Sequence, residues 1–313
     1  MTRKEWAIGI DIGGTNTDIC LVSRQGECVA RKHLSTGEYE DENQYANDIA
    51  RLIRLIAEEQ NIHNLQEIKG IGIGAPNGNY HTGCIEKAPN LRFKGDVYLA
   101  KMMEERLHIK TVLTNDANAA AYGEKIFGGA QKMNDFILVT LGTGVGSGIV
   151  CNGQLLYGHN GSAGEFGHTI LHENGRKCSC GRCGCVETYA SIRGIVQTYN
   201  ELNNDGKSDP LPNNNCKVVT EKADAGDPIA IETWRQTAHH LGIALANAAA
   251  YTNPEAIFLM GGPTLAGHWL YDPLRQYFEE YLLNIYKGKV KILPSKLPAN
   301  EAAILGAAAL VWE

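Results

Sequence analysis

The sequence predicts an α/β fold made of two related halves, on three observations. A strand, glycine turn, strand pattern over residues 6–23 recurs over 136–151. Helical and buried-strand segments alternate between the two copies. Glycine corners close strand ends at three separate places instead of opening one nucleotide loop.

Taken in order, residues 6–10 alternate as a strand with Asp11 at its end, and Gly13, Gly14, Thr15 and Asn16 make the turn. Residues 18–23 form a second strand, Gln25-Gly26 a turn, and 28–34 a third strand. A dinucleotide fold or a P-loop runs strand, glycine loop, helix; here the glycine loop joins two strands, which sets both aside. A helix over 43–59 carries Ile49, Leu52, Ile53 and Ile56 on one face, and 68–74 and 112–114 read as buried strands. In the second copy 136–141 is a strand, 142–146 a glycine turn and 147–151 a strand. Asn152-Gly153 turns the chain into 154–157. A long helix over 229–251 aligns Trp234, Ala238, Leu241 and Leu245, and Asn253-Pro254 ends it. A strand over 257–260 runs into Gly261, Gly262 and Pro263, and a small-residue helix over 301–312 closes the chain. The stretch 203–215 reads as an exposed loop. With no low-complexity linker between them, the halves are expected to pack around a cleft.

Composition narrows the function. The 313 residues are 43% hydrophobic and 20% charged, as in ordinary globular chains. A net charge of −6 leaves no basic stripe for a nucleic-acid backbone. No run approaches the roughly 20 apolar residues that span a bilayer. The N-terminus enters a strand without a signal-peptide core, so the protein is expected to be cytoplasmic. Four of the nine cysteines fall between 178 and 185, which in a reducing compartment points to metal. Cys20, Cys28, Cys84, Cys151 and Cys216 are scattered and are expected to be inert thiols.

Three glycine corners carry chemistry. Asp11, followed at once by Gly13, Gly14, Thr15 and Asn16, places a carboxylate beside free backbone amides, an arrangement suited to phosphate plus a divalent cation. Gly142, Thr143 and Gly144 form a second phosphate-type turn, and Gly261-Gly262 would let a flat adenine lie against the backbone. Gly206-Lys207-Ser208 echoes a P-loop but has Glu201 where that loop needs glycine, and no strand precedes it. Cys178, Cys180, Cys183 and Cys185 pack four thiols beside His168; four cysteines, or three with His168, would each complete a closed structural zinc site. Glu165 and Glu187 flank that knot, and two fixed carboxylates suit vicinal sugar hydroxyls. Asp116, just past a buried strand, can serve as a kinase base or simply cap the helix it opens.

Together Asp11 to Asn16, the Asn115-Asp116 pair, the 142–146 turn, Glu165-Phe166-Gly167-His168 and the cysteine run ending in Cys185-Val186-Glu187 resemble the ROK family of bacterial sugar kinases and related repressors. The resemblance spans nearly the whole chain. It implies an actin-like, hexokinase-type ATPase fold of two similar α/β domains. It also implies ATP with Mg2+, structural Zn2+ and a homodimer, with a tetramer as the alternative. By motif, Asp116 is the expected catalytic base, and Asn90, Asn115, Glu165, His168 and Glu187 are the expected sugar contacts. Asp11, Gly13, Gly14, Thr15, Asn16, Gly142, Thr143, Gly144, Gly261 and Gly262 are expected to bind the nucleotide. His168, Cys178, Cys180 and Cys185 would hold zinc, with Cys183 at a position that is usually not cysteine. Asn77 stands where the family commonly has glycine, which leaves the preferred sugar open.

The expected activity is phosphorylation of a free hexose at its 6-hydroxyl, with glucose foremost. A kinase for N-acetylglucosamine, N-acetylmannosamine, mannose, fructose or allose is the alternative. A sugar-sensing repressor is a distant third, because Asp11 arrives before a winged helix-turn-helix could fit. The expected domains are 1–116 with 299–313, and 117–298.

Overall fold

The computed structural model describes residues 5–93, 95–203, 210–212 and 215–312; the Gly206-Lys207-Ser208 segment and most of the 203–215 loop lie outside them. The chain divides into two compact units: residues 1–133, 155–163 and 296–313, and residues 134–154 with 164–295.

In the first unit β1 (Trp6–Ile12), β2 (Thr17–Ser23) and β3 (Cys28–Leu34) form an antiparallel meander. Next come α1 (Glu42–Glu59), β4 (Ile68–Ala75), and three short strands, β5 (Gly78–Asn79), β6 (Cys84–Glu86) and β7 (Asp96–Val97), in a sheet of their own. They lead to α2 (Leu99–Leu107), β8 (Thr111–Asn115) and α3 (Asp116–Ile126). The main sheet runs β3-β2-β1-β4-β8, with β4 parallel to both β1 and β8.

The second unit opens with β9 (Phe136–Leu141) and β10 (Val145–Cys151); of β11 (Gln154–Leu155) it includes Gln154, and Leu155 belongs to the first unit. Its helices are α4 (Glu187–Ala190), α5 (Ile192–Leu202), α6 (Lys217–Asp224) and α7 (Pro228–Thr252). Then come β12 (Ala256–Met260), α8 (His268–Tyr281) and β13 (Lys291–Pro294), before the chain returns to the first unit as α9 (Ala302–Ala309). This sheet runs β11-β10-β9-β12-β13, with β12 parallel to β9 and β13. The two sheets therefore share one topology, the duplication that the repeated glycine hairpins predict.

Local sequence explains the elements. Asp41 caps α1 by accepting the Asn43 amide, and Tyr45, Ile49, Ile53 and Ile56 are fully buried at helical spacing. Each such isoleucine contributes about 1.5–3 kcal/mol of burial. Asp227 caps α7 ahead of Pro228, and Asn253 ends it in a left-handed conformation at φ 46°. The predicted face of α7, Trp234, Ala238, Leu241 and Leu245, is wholly buried. Alanine and glycine in α9 bring it close to α3: a methyl added at Gly123 would lie 2.7 Å from the Gly306 Cα. That packing holds α3 with the first unit, whereas the sequence reading divided the chain at 116.

Other boundaries shift for visible reasons. The Gly142 amide bonds the Gly144 carbonyl and closes the second turn in three residues, so β10 starts at Val145 and not at 147. Pro273 lies inside α8 and hides that helix from a sequence reading. β5, β6 and β7 are too short to show a period. Cys20 and Cys28 form a disulfide between β2 and β3, Cα to Cα 6.0 Å, correcting the expectation that both are inert thiols. No helix among the described residues is long and apolar enough to cross a membrane.

Candidate active site

Strand ends in the first unit bring one group of predicted residues together. Asp11 of β1 lies opposite Gly74 of β4, and Gly74 lies opposite Thr114 of β8, so Asn115 and Asp116 follow at the same edge. Parallel strands of an open α/β sheet place their carboxyl ends where ligands bind. Burial, followed by the charges of Asp116 and Asp18, raises the Asp11 carboxyl to about 6. Asp116 has an accessible carboxylate crowded by surrounding protein. Desolvation raises its pKa, and its bond to the Ala117 amide works against that rise.

The start of α3 divides labour between two side chains. Asn115 is the N-cap, its Oδ1 accepting the Ala117 amide at 2.9 Å, and Asp116 Oδ1 accepts the same amide at 2.8 Å. The cap is thus the asparagine, and Asp116 is the first helical residue. One oxygen of Asp116 is pinned, and the other has no protein donor among the described residues. The Asn115 amide group, its oxygen occupied, is left to donate.

The 13–16 turn is closed by the Gly13 amide on the Asn16 carbonyl at 2.8 Å. The amides of Gly14, Thr15 and Asn16 have no protein acceptor among the described residues. Asn90 packs on this turn, close enough that a methyl at Gly14 would meet its Cβ and carbonyl at 2.9 Å. Asn77 adopts φ 51° and its Nδ2 donates to the Glu86 carbonyl at 3.0 Å. The left-handed backbone explains why glycine would suit position 77 and why asparagine serves there.

A second group forms in the other unit. Met260 of β12 pairs with Thr140 of β9, placing Gly261-Gly262 beside the 142–144 turn. Gly261 has φ 114° and touches Leu141, so no side chain fits there. The amides of Thr143 and Gly144 have no protein acceptor among the described residues.

His168, Cys178, Cys180 and Cys185 converge, their ligand atoms all within 4.8 Å of one another. The Cys178 sulfur lies 3.6 Å from His168 Nδ1, and Cys180 lies 3.7 Å from Cys185, sulfur to sulfur. Sulfur ligands at about 2.3 Å from a tetrahedral zinc stand about 3.7 Å apart, so this donor set fits zinc in chemistry and in spacing. Cys183 is exposed and is not one of the converging four. Gly184, at φ 77° and against His172, permits the reversal between Cys183 and Cys185. Backbone and side-chain hydrogen bonds from Arg182 bring the Cys180 thiol down to about 6, while burial pushes Cys185 up to about 12. Arg182 also donates to the His168 carbonyl at 2.7 Å, a supporting role that nothing in the cysteine spacing announces.

Glu165 is exposed at the start of the short turn Phe166–His168, and Glu187 is half-buried at the head of α4. They are three residues before one metal-type ligand and two after another. The Val145 amide donates to Glu187 Oε2 at 3.0 Å, a link between knot and glycine turn that sequence reasoning missed.

Two sheets of one topology with glycine hairpins at their strand ends define the actin-like, hexokinase-type ATPase class. The chain belongs to the ROK family, whose model matches residues 7–313. It is 36% identical over 317 aligned residues to a glucokinase of Halalkalibacterium halodurans, covering 98% of this chain and 94% of that protein. The crystal structure of a ROK family glucokinase from Streptomyces griseus in complex with glucose and AMPPNP matches with a TM-score of 0.77. That match is 31% identical and covers 97% and 98% of the two chains. A xylose repressor of Caldicellulosiruptor bescii is 30% identical over 97% of this chain and 77% of its own length.

Proposed function

We propose that this chain is an ATP-dependent kinase that transfers the γ-phosphoryl group to the 6-hydroxyl of a free hexose, with glucose its preferred acceptor. The observation that carries the reading is the start of α3, where Asp116 keeps one carboxylate oxygen free beside the Asn115 donor. Similarity to proteins named glucokinase, at up to 36% identity across nearly the full chain, supports the choice of sugar.

Asp116 orients the 6-hydroxyl and accepts its proton as the oxygen attacks phosphorus. Desolvation, which raises its pKa, also makes it a stronger base. Asn90, Asn115, Glu165, His168 and Glu187 bind the sugar. The amides of Gly14, Thr15 and Asn16, and those of Thr143 and Gly144, cradle the phosphates, and Gly261-Gly262 receive the adenine. Asp11 holds Mg2+, which when bound neutralises charge on the transferring group. Phosphoryl transfer leaves little covalent work for the protein, so positioning supplies most of the remaining acceleration.

His168, Cys178, Cys180 and Cys185 hold a structural zinc that fixes the segments bearing Glu165 and Glu187. The protein acts in the cytoplasm, in sugar catabolism, as a homodimer. Tyr281, Leu283 and Ile285, 42%, 55% and 63% exposed at the end of α8, are apolar surface consistent with that assembly.

A coupled ADP-release assay with MgATP against free hexoses and N-acetylhexosamines tests the reading. Glucose should give the highest kcat/KM. A different preferred sugar would revise the substrate alone, whereas no turnover on any sugar would favour the sugar-sensing role of the repressor relatives.

A further inference from the structure

Glu187 serves two parts of the second unit at once. Its Oε2 accepts the Val145 amide at 3.0 Å, so one carboxylate oxygen is bonded to the residue that leaves the 142–144 turn. Among the described residues its Oε1 is met only at long range, by Ser179 Oγ at 3.5 Å and by the Cys178 sulfur at 3.8 Å. The gap between turn and carboxylate is filled: a methyl on Gly144 would stand 2.5 Å from Oε2 and 3.4 Å from the carboxyl carbon. The same stretch of chain grips the other end of the turn, because the Ile192 amide donates to the Gly142 carbonyl at 2.9 Å. Residues 187–192 are therefore a splint across the turn, attached at Gly142 and at Val145.

We infer that Glu187 is a positioning residue for the donor-phosphate turn as well as a sugar contact. Occupancy of the sugar at Oε1 and of phosphate on the Thr143 and Gly144 amides is then linked through one carboxylate. The inference rests on the kinase reading given above and extends it. With Oε2 held by an amide, Oε1 is presented in a fixed direction and accepts a hydroxyl without the carboxylate having to reorient. A hydroxyl donated to Oε1 holds the carboxylate in place and with it the charge-assisted bond that Oε2 accepts from Val145. That restraint reaches the adjoining amides, since Val145 directly follows Gly144. In the other direction, phosphate on those amides orders the turn and fixes the carboxylate that faces the sugar. A linkage of this kind is reciprocal: each ligand changes the affinity of the other by the same factor.

The test is reciprocal as well. Calorimetry on the full chain measures the Kd of Mg-AMPPNP without sugar and of glucose without nucleotide, in wild type, Gly144→Ala and Glu187→Gln. A residue that serves only the sugar leaves nucleotide affinity unchanged; here Glu187→Gln is expected to raise the nucleotide Kd about fivefold or more. Gly144 is not itself a proposed sugar contact, yet Gly144→Ala should push the Glu187 carboxylate aside and raise the glucose Kd by about the same factor. In wild type, glucose alone should shift the Val145 amide resonance. Wild-type nucleotide affinity in Glu187→Gln, together with wild-type glucose affinity in Gly144→Ala, overturns the linkage and leaves the kinase reading intact. A wild-type chain that binds no sugar and releases no ADP sinks the kinase reading, and the linkage with it.

Discussion

The two glycine turns occupy the same place in the same topology and differ in the side chains that flank them. Residues 13–16 join β1 to β2, residues 142–144 join β9 to β10, and each leaves backbone amides with no protein acceptor among the described residues. The first turn is surrounded by carboxylates: Asp11 at its entry and Asp18 just past its exit, with Asp116 near enough to raise the Asp11 pKa. The second carries no acid of its own. It is braced by Glu187, whose oxygen is already engaged by Val145. Acid-rich surroundings suit a phosphate contact made through a cation, and amides alone suit direct contact. The topology supplies the same backbone turn twice, and the flanking side chains differ.

The largest effect expected from breaking this contrast is at Asp116. Asp116→Asn should lower kcat by about 10^3-fold while glucose affinity stays near wild type. A variant with near-normal kcat would remove Asp116 from the role of base.

Removing the knot attacks the second turn only. Stripping metal with a chelator, or replacing Cys185 with serine, should weaken glucose binding at least about tenfold and lower Tm. Unchanged glucose affinity in a metal-free sample would make the cysteine cluster scaffold and nothing more.

Asp11→Asn addresses the acidity of the first turn. The folded-state pKa of about 6 stands above the usual carboxylate value of 3.8, so the folded state binds the extra proton between those two pH values. Stability from this group therefore falls as pH rises through that window, and the charged form costs up to about 3 kcal/mol at neutral pH. The asparagine variant should unfold at a higher temperature than wild type at pH 7, by up to about 2 kcal/mol after allowance for solvent screening. The advantage should vanish below pH 4, and activity should be lost throughout. A variant that is less stable at pH 7 would mean that burial and the nearby carboxylates do not disfavour the charged form of Asp11.

The smallest effect is expected at Asn77. Asn77→Gly keeps the left-handed backbone and loses one hydrogen bond, so stability should change by less than about 1 kcal/mol. The ranking of sugars in the ADP-release assay should not move. A changed ranking would show that the side chain shapes acceptor choice despite its bond to the Glu86 carbonyl.

The sequence by itself determined the repeat, the strand-end position of Asp11, the helix α7 with its buried face, and the clustering of metal-type ligands around 168–185. Each is encoded by residues close together in the chain, through period, capping or spacing. Asn115-Asp116 was legible as a pair, but only the structure shows which residue caps α3 and which keeps a free oxygen. Spacing left four cysteines or three with His168 as equal choices; in the folded chain the turn at Gly184 brings Cys185, and not Cys183, within 4.8 Å of His168, Cys178 and Cys180. The disulfide between Cys20 and Cys28 depends on strand register, which brings neighbouring strands together across a hairpin. The bond from Val145 to Glu187 joins residues far apart in sequence and leaves no local mark. Period and turn chemistry act over a few residues, so they are written in the sequence. Contacts made by a side chain with a distant backbone amide exist only once the sheets and helices have packed.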